Sequence, residues 1–147
     1  MDPSKIHILV LERDPVAARA IRAILDPLGY QVSIATGESE AVALAEEKLF
    51  NLVVKSFDAQ RVDAIAVMDK IRAVTPDTQF ILVSEKGTIR TAVDAIRKGA
   101  FDYLSRPIHA AQLVESVRKA LDYQALVAED QRLKLRLRRR SEPDIRL

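Results

Sequence analysis

Five short apolar segments alternate with longer amphipathic segments along most of the chain. The apolar segments are rich in Ile, Leu and Val, which is typical of buried strands, and they span 6–11, 30–35, 51–57, 78–84 and 101–105. The segments between them carry apolar residues at helical spacing and predict helices over 15–28, 38–49, 62–74, 88–98 and from about 109 onward. Short connections between alternating strands and helices predict an α/β fold, with one parallel sheet covered by helices on both faces.

A parallel sheet of this kind carries its binding crevice beyond the C-terminal ends of the strands. The polar residues at or just after those ends are the first candidates for a functional site. They are Glu12, Arg13, Ser56, Asp58, Ser84, Glu85, Ser105 and Arg106.

Composition excludes several kinds of chemistry. The 147 residues suit one domain, and the absence of cysteine excludes disulfides, thiol nucleophiles and Cys-ligated zinc. His7 and His109 are far apart and lack metal-ligand spacing, and neither a phosphate-binding loop nor a catalytic triad motif is present. We therefore expect no enzyme and no metal centre. Without a long apolar run or a signal-peptide pattern, we expect a cytoplasmic protein with no membrane contact.

Three motifs resemble the receiver domains of two-component response regulators, in particular those of the NtrC-like transcriptional activators. They are residues 8–15 (Ile-Leu-Val-Leu-Glu-Arg-Asp-Pro), 29–32 (Gly-Tyr-Gln-Val) and, most specifically, 99–107 (Gly-Ala-Phe-Asp-Tyr-Leu-Ser-Arg-Pro). The resemblance covers a domain of about residues 5–122. It implies a flavodoxin-like (βα)5 fold with strand order 2-1-3-4-5, and it implies a histidine kinase as a possible partner.

The resemblance also implies a phosphorylation pocket, which this sequence retains only in part. Ser84 stands at the hydroxyl position after the fourth strand, Arg106 at the position of a lysine, and Tyr103 at the switch aromatic position. The acidic pair that holds Mg²⁺ becomes Glu12 and Arg13, so one carboxylate is replaced by a cation.

The phosphoacceptor aspartate of the family is replaced by Ser56. A serine hydroxyl needs a general base, and Glu12 is the one candidate for it. Magnesium prefers carboxylate oxygens, so we expect weak or absent Mg²⁺ binding, no other cofactor and no catalytic residue. Two interpretations stay open: Arg13 or Arg106 pairs with Glu12 or Asp58 and fixes one state of the pocket, or the pocket holds only scattered hydrogen bonds. Asp58 is either a displaced phosphoacceptor or an exposed loop residue.

Without phosphorylation, signalling would depend on protein contacts. The resemblance implies a homodimer through the fourth helix, fifth strand and fifth helix, and opposite charges on these elements suit a twofold contact. The candidate surface residues are Arg90, Asp94, Arg97, Lys98, Asp102, Glu115, Arg118 and Lys119. We expect a degenerate receiver that acts in two-component signalling and regulates an effector domain or partner protein, with transcription as the output, through such contacts. The alternatives are an active phosphoacceptor at Asp58 or Ser56, or nucleic-acid binding through the basic tail.

Residues 123–147 continue past the resemblance as a linker helix with a basic, partly disordered tail. A seam through Val114, Val117, Leu121, Gln124, Ala128, Gln131 and Leu135 contains two glutamines, which predicts a weak coiled coil. Alternating leucine and basic residues over 133–138 favour a helix that frays there.

The tail also concentrates the positive charge. Residues 132–140 hold six basic groups and no acid, so the net charge of +2 leaves −4 on the rest of the chain. Such a run can contact nucleic-acid phosphates, but no aromatic residue or base-reading motif accompanies it. We expect a solvated linker instead of a nucleic-acid site.

Overall fold

The structure is a computed structural model that describes residues 2–57 and 63–141. After a short 3-10 turn at Pro3–Lys5, five strands alternate with five helices. The strands are β1 His7–Leu11, β2 Gln31–Ala35, β3 Leu52–Phe57, β4 Gln79–Ser84 and β5 Asp102–Ser105. The helices are α1 Pro15–Leu25, α2 Glu38–Glu47, α3 Asp63–Val74, α4 Ile89–Arg97 and α5 Ala110–Ser141.

All strand pairs are parallel, and the order across the sheet is β2-β1-β3-β4-β5. The predicted fold is confirmed, and most predicted boundaries lie within two residues of the observed ones. The first helix is shorter than predicted: α1 ends at Leu25, and the chain continues as a 3-10 turn over Asp26–Leu28 because Pro27 cannot continue the α-helical hydrogen bonds.

Local sequence signals set the helix ends. The Asp14 carboxylate accepts a hydrogen bond from the backbone N–H of Val16, and Pro15 is the first helical residue. Thr88 and Thr91 form a reciprocal capping box at the start of α4. Gly99 follows α4 with φ +106°, a conformation that side chains disfavour.

The core lies on both faces of the sheet, as the near-continuous apolar strands require. On one face Ile8 and Val10 pack against α1 and α5, including Ile21 and Leu113. On the other face Leu9 and Leu11 face the cluster of α2 and α3, which includes Met68. The sheet is therefore fixed from both sides, and its strand ends form a rigid support for the crevice.

Helix α4 is the exception to this packing. Its apolar residues Ile89, Val93 and Ile96 are 86%, 43% and 46% exposed, and Ala95 is its one buried residue. The predicted apolar stripe exists, but it faces away from the core.

Helix α5 runs without interruption to Ser141, so the predicted fraying over 133–138 is wrong. Leucine, arginine and lysine are all good helix formers, and their propensity outweighs the alternating pattern. Val117, Leu121 and Gln124 are buried against the domain's own sheet, so the first half of the predicted coiled-coil seam is not available to a partner. No helix among the described residues is both long and apolar enough to cross a membrane.

Candidate functional site

Glu12 lies directly after β1 and is 7% exposed. Its Oε1 accepts a hydrogen bond from the backbone N–H of Asp14 at 3.1 Å, and its Oε2 lies 3.2 Å from Nη2 of Arg106. The backbone N–H of Glu12 also donates to the carbonyl of Ala35 at the end of β2. Both carboxylate oxygens of this residue therefore have partners within the domain.

Arg106 approaches Glu12 from the far side of the crevice, after β5. Its backbone N–H donates to the Ser84 carbonyl at 2.8 Å, which aligns the residue beside the end of β4. Its side chain is 25% exposed, and its Nε atom is buried without a hydrogen-bond partner among the described residues. The guanidinium is thus largely withdrawn from water and paired with one carboxylate, which strengthens the attraction between them.

The two serines lie between these charges. Ser84 is 2% exposed, at the last position of β4, where it pairs in register with Ser105. Ser56 is half-buried and lies one residue before the end of β3. The structure therefore brings together Glu12, Ser56, Ser84 and Arg106 at the carboxyl edge of the sheet.

One predicted pocket residue, Arg13, is not part of this arrangement. Arg13 is exposed and forms no ion pair with a described residue. Asp58 lies outside the described residues.

Sequence reasoning did not single out Lys55, which is 8% exposed and lies inside β3. Its register partners Leu11 and Leu82 belong to the core on the α2 and α3 side, so Lys55 faces that side of the sheet. The sequence does contain a signal for this residue, because a lysine inside an otherwise apolar strand segment indicates a buried cation.

The described residues at the crevice offer a magnesium ion few oxygen ligands. Mg²⁺ requires several oxygen ligands, usually with one or two carboxylates. Glu12 is a buried carboxylate at the crevice, and Arg106 already pairs with it. The described parts of the chain contain no group of three or more His, Cys, Asp or Glu side chains able to hold a metal.

Tyr103, at the switch position, is half-buried on β5. Its hydroxyl lies 3.1 Å from Oγ1 of Thr91, which belongs to the capping box of α4. A Cβ atom added at Gly87 would lie 2.8 Å from Cε1 of Tyr103 and 2.3 Å from Oγ of Ser105. The loop between β4 and α4 therefore packs tightly on β5, and Tyr103 connects the strand to the helix.

Most of the predicted surface residues are exposed on α4 and α5, namely Arg90, Asp94, Arg97, Lys98, Glu115, Arg118 and Lys119. Asp102 differs, because it is half-buried and its carboxylate accepts hydrogen bonds from the Tyr103 N–H at 2.8 Å and from the Ser116 hydroxyl at 2.7 Å. Its carboxylate connects β5 to α5, so it has little capacity left to form an ion pair with a partner protein.

A second cationic contact stabilises the end of α4. Arg72 of α3 donates to the carbonyls of Lys98 and Gly99, and its guanidinium lies 4.9 Å from the ring centroid of Phe80. Burial lowers the pKa of Arg72 below its usual value. A cation at the end of α4 is favourable, because the last carbonyls of a helix carry partial negative charge.

The strand order and the polar residues at the ends of β1, β3, β4 and β5 define a signalling domain of the CheY-like flavodoxin fold. Residues 8–118 match the response regulator receiver domain family, and the chain belongs to that family.

Its relatives include transcriptional regulators of the NtrC-like class. The chain is 34% identical over 117 residues to the transcriptional regulatory protein ZraR of Salmonella typhimurium, which covers 80% of this chain and 26% of ZraR. It is 32% identical over 127 residues to the C4-dicarboxylate transport transcriptional regulatory protein DctD of Rhizobium meliloti. This match covers 86% of this chain and 28% of DctD.

Solved structures give the same assignment. NtrX from Brucella abortus, crystallised with ATP, superposes with a TM-score of 0.78 at 29% identity, covering 86% of this chain and 29% of NtrX. A receiver domain from Methanospirillum hungatei superposes with a TM-score of 0.73 at 25% identity, covering 82% and 96%. The chain thus spans under a third of the curated relatives it matches, and it corresponds to their receiver part.

Proposed function

We propose that this chain is a degenerate receiver domain that regulates a transcriptional effector in the cytoplasm through protein contacts, without aspartyl phosphorylation and without enzymatic activity. The observation that carries the proposal is the ion pair between Glu12 and Arg106 across the crevice. Glu12 is the one carboxylate that remains of the family's acidic pair, and the ion pair engages it. Its partner Arg106 stands at the position of the family's phosphate-binding lysine.

The chemistry of the remaining residues supports the same conclusion. Phosphoryl transfer depends on a metal ion that neutralises charge and on a nucleophile that is already ionised. Ser56 has a neutral hydroxyl, and Glu12, its one candidate base, already pairs with a guanidinium. Arg13 adds a further cation to a place where the family uses an acid. Each of these substitutions weakens the binding of Mg²⁺.

The exposed face of α4 supports the second half of the proposal. Ile89, Val93 and Ile96 form an apolar stripe at helical spacing, bordered by charged residues of both signs such as Arg90 and Asp94. Apolar stripes of this kind, rimmed by charge, mark protein contact sites. We propose that this stripe, with β5 and α5, forms a homodimer or binds an effector or partner protein, a histidine kinase included.

Calorimetric titration with Mg²⁺, followed by beryllofluoride as a phosphoryl mimic, tests the pocket. We expect no heat from either, because Arg106 occupies the carboxylate that a metal would need. Incubation with Mg²⁺ and acetyl phosphate, monitored by intact mass, should leave the mass unchanged.

A gain of one phosphoryl group would contradict the proposal and favour the alternative phosphoacceptors. The variants Ser56→Ala and Asp58→Asn would then identify the acceptor, since the acceptor's variant alone would fail to gain mass. Mutually dependent binding of Mg²⁺ and beryllofluoride would also contradict the proposal.

A further inference from the structure

The last part of α5 extends away from the domain. Gln124 is its last buried residue among those described, held by hydrogen bonds of 3.1 Å to Asn51 and to Asp77. Every residue from Glu129 to Arg140 is exposed. At 1.5 Å per residue this segment reaches roughly 18 Å into solvent. The rigid anchor and the continuous helix give it a defined shape.

Acidic side chains compensate the positive charge only in the first part of this segment. Glu129 pairs with Arg132, and Asp130 lies 3.0 Å from Lys134. Arg136, Arg139 and Arg140 form no ion pair with any carboxylate in the described parts of the chain. The helix dipole favours cations in the last turn, which accounts for Arg139 and Arg140 but not for the charge one turn earlier.

The helical geometry places cations on two opposite sides of the segment. At 3.6 residues per turn, Arg132, Arg136 and Arg139 follow one another along one side, and Lys134 and Arg138 lie on roughly the opposite side. A frayed chain would have no such arrangement. A guanidinium group can donate two hydrogen bonds to two oxygens of one phosphate, and a lysine attracts phosphate as a point charge. Each side of the helix therefore presents cations that can contact successive phosphates.

We infer that residues 132–140 bind the phosphate backbone of duplex DNA, independently of its sequence. A helix that lies in the major groove has a phosphate row on either side, which matches cations on both sides. A flat anionic lipid surface would require the cations on one side of the helix and the apolar residues on the other, whereas here the cations occupy two opposite sides. The net charge of −4 on the rest of the chain would keep the domain away from the polyanion and direct the helix towards it.

The test is fluorescence anisotropy with a labelled DNA duplex of arbitrary sequence and the full chain, over a series of salt concentrations. About five phosphate contacts predict a slope of log affinity against log salt near −4.5, which is roughly 500-fold weaker binding at 200 than at 50 mM salt. The variants Arg136→Gln/Arg139→Gln and Lys134→Gln/Arg138→Gln each remove two contacts from one side. Each should make the slope about 1.8 units shallower and weaken binding at least about tenfold.

Glutamine has a helix propensity close to those of arginine and lysine, so circular dichroism should show unchanged helicity. The matched control is Arg19→Gln/Lys48→Gln, which makes the same change in net charge on exposed residues of the domain body and should change binding less than about twofold. The inference is overturned by an absence of binding at 50 mM salt, or by equal losses in the control. Tighter binding to vesicles of anionic phospholipid than to DNA at equal phosphate concentration would also overturn it.

Discussion

At the scale of single residues, the structure settles which arginine pairs with Glu12. The sequence predicts two candidates, because Arg13 and Arg106 both follow strands that end at the crevice. Arg106 is directed inward because its backbone N–H bonds to the Ser84 carbonyl, whereas Arg13 begins an exposed connection to α1. Position along the chain could predict which residues reach the crevice, but side-chain direction depends on backbone hydrogen bonds that no local pattern encodes.

Breaking the pair from one side should destabilise the domain. Arg106→Leu leaves the Glu12 carboxylate 7% exposed without its cation, so we expect a loss of about 1–3 kcal/mol in the free energy of unfolding. Glu12→Gln should cost less, because an amide oxygen can still accept the Asp14 N–H. Urea denaturation measures both, and the double variant gives the coupling energy between the two side chains.

The exposed pair Glu115–Lys119 is the control for that comparison. Its two side chains are 68% and 66% exposed, so Lys119→Gln should change the unfolding free energy by less than about 0.5 kcal/mol. If Arg106→Leu changes it no more than Lys119→Gln does, the ion pair across the crevice does not hold the site together.

Gly99 provides a second prediction at this scale. Its φ of +106° disfavours any side chain, and a Cβ there would lie 2.1 Å from Nη1 of Arg72. Gly99→Ala should therefore destabilise the domain by about 1–3 kcal/mol, both through backbone strain and through displacement of Arg72 from the end of α4. Gly37→Ala is the matched control, since nothing lies within 4 Å of its Cβ position. Thermal unfolding of the two variants measures the difference, and similar melting temperatures would contradict the prediction.

At the scale of elements, helical periodicity located every helix, but it did not reveal which side of α4 faces the sheet. Ile89, Val93 and Ile96 form the more apolar side, yet α4 buries Ala95 because a small residue allows the helix to approach the core closely. In the same way, the alternation over 133–138 suggested fraying, although each residue there is a good helix former. Local patterns predict the type of an element more reliably than its orientation.

The exposed stripe on α4 leads to a prediction about assembly. If it forms the dimer contact, Ile89→Glu/Ile96→Glu should convert a dimer into a monomer, because four charges would enter a twofold contact. Sedimentation equilibrium measures the change. Leu49→Glu is the control, as Leu49 is 73% exposed just after α2 and lies on a different element. A chain that stays monomeric at high concentration, or a dimer unaffected by the α4 variant, would exclude this interface.

At the scale of the whole molecule, the receiver fold is complete, and the substitutions that the resemblance implies lie at its strand ends, at Arg13, Ser56 and Arg106. The parallel order, the two-sided core and the buried Ser84 follow from apolar patterning that the substitutions at the strand ends do not touch. This separation explains why the strand order and the polar residues at the strand ends could be predicted from the sequence, while the pairing of Arg106 with Glu12 required the geometry.

The proposed function predicts that three substitutions at the strand ends restore phosphorylation chemistry on this scaffold. In the triple variant Arg13→Asp/Ser56→Asp/Arg106→Lys, two carboxylates join Glu12, the competing guanidinium is removed, and Ser84 already stands in place. We expect this variant to bind Mg²⁺ and to gain one phosphoryl group from acetyl phosphate, as judged by calorimetry and intact mass.

Ser56→Asp alone is the control. It should neither bind Mg²⁺ nor gain mass, because Arg106 still pairs with Glu12 and Arg13 still repels the metal. If the single variant is phosphorylated as readily as the triple variant, the ion pair is not what disables the pocket. If the triple variant folds but does not bind Mg²⁺, the connection after β3 must contribute to the loss.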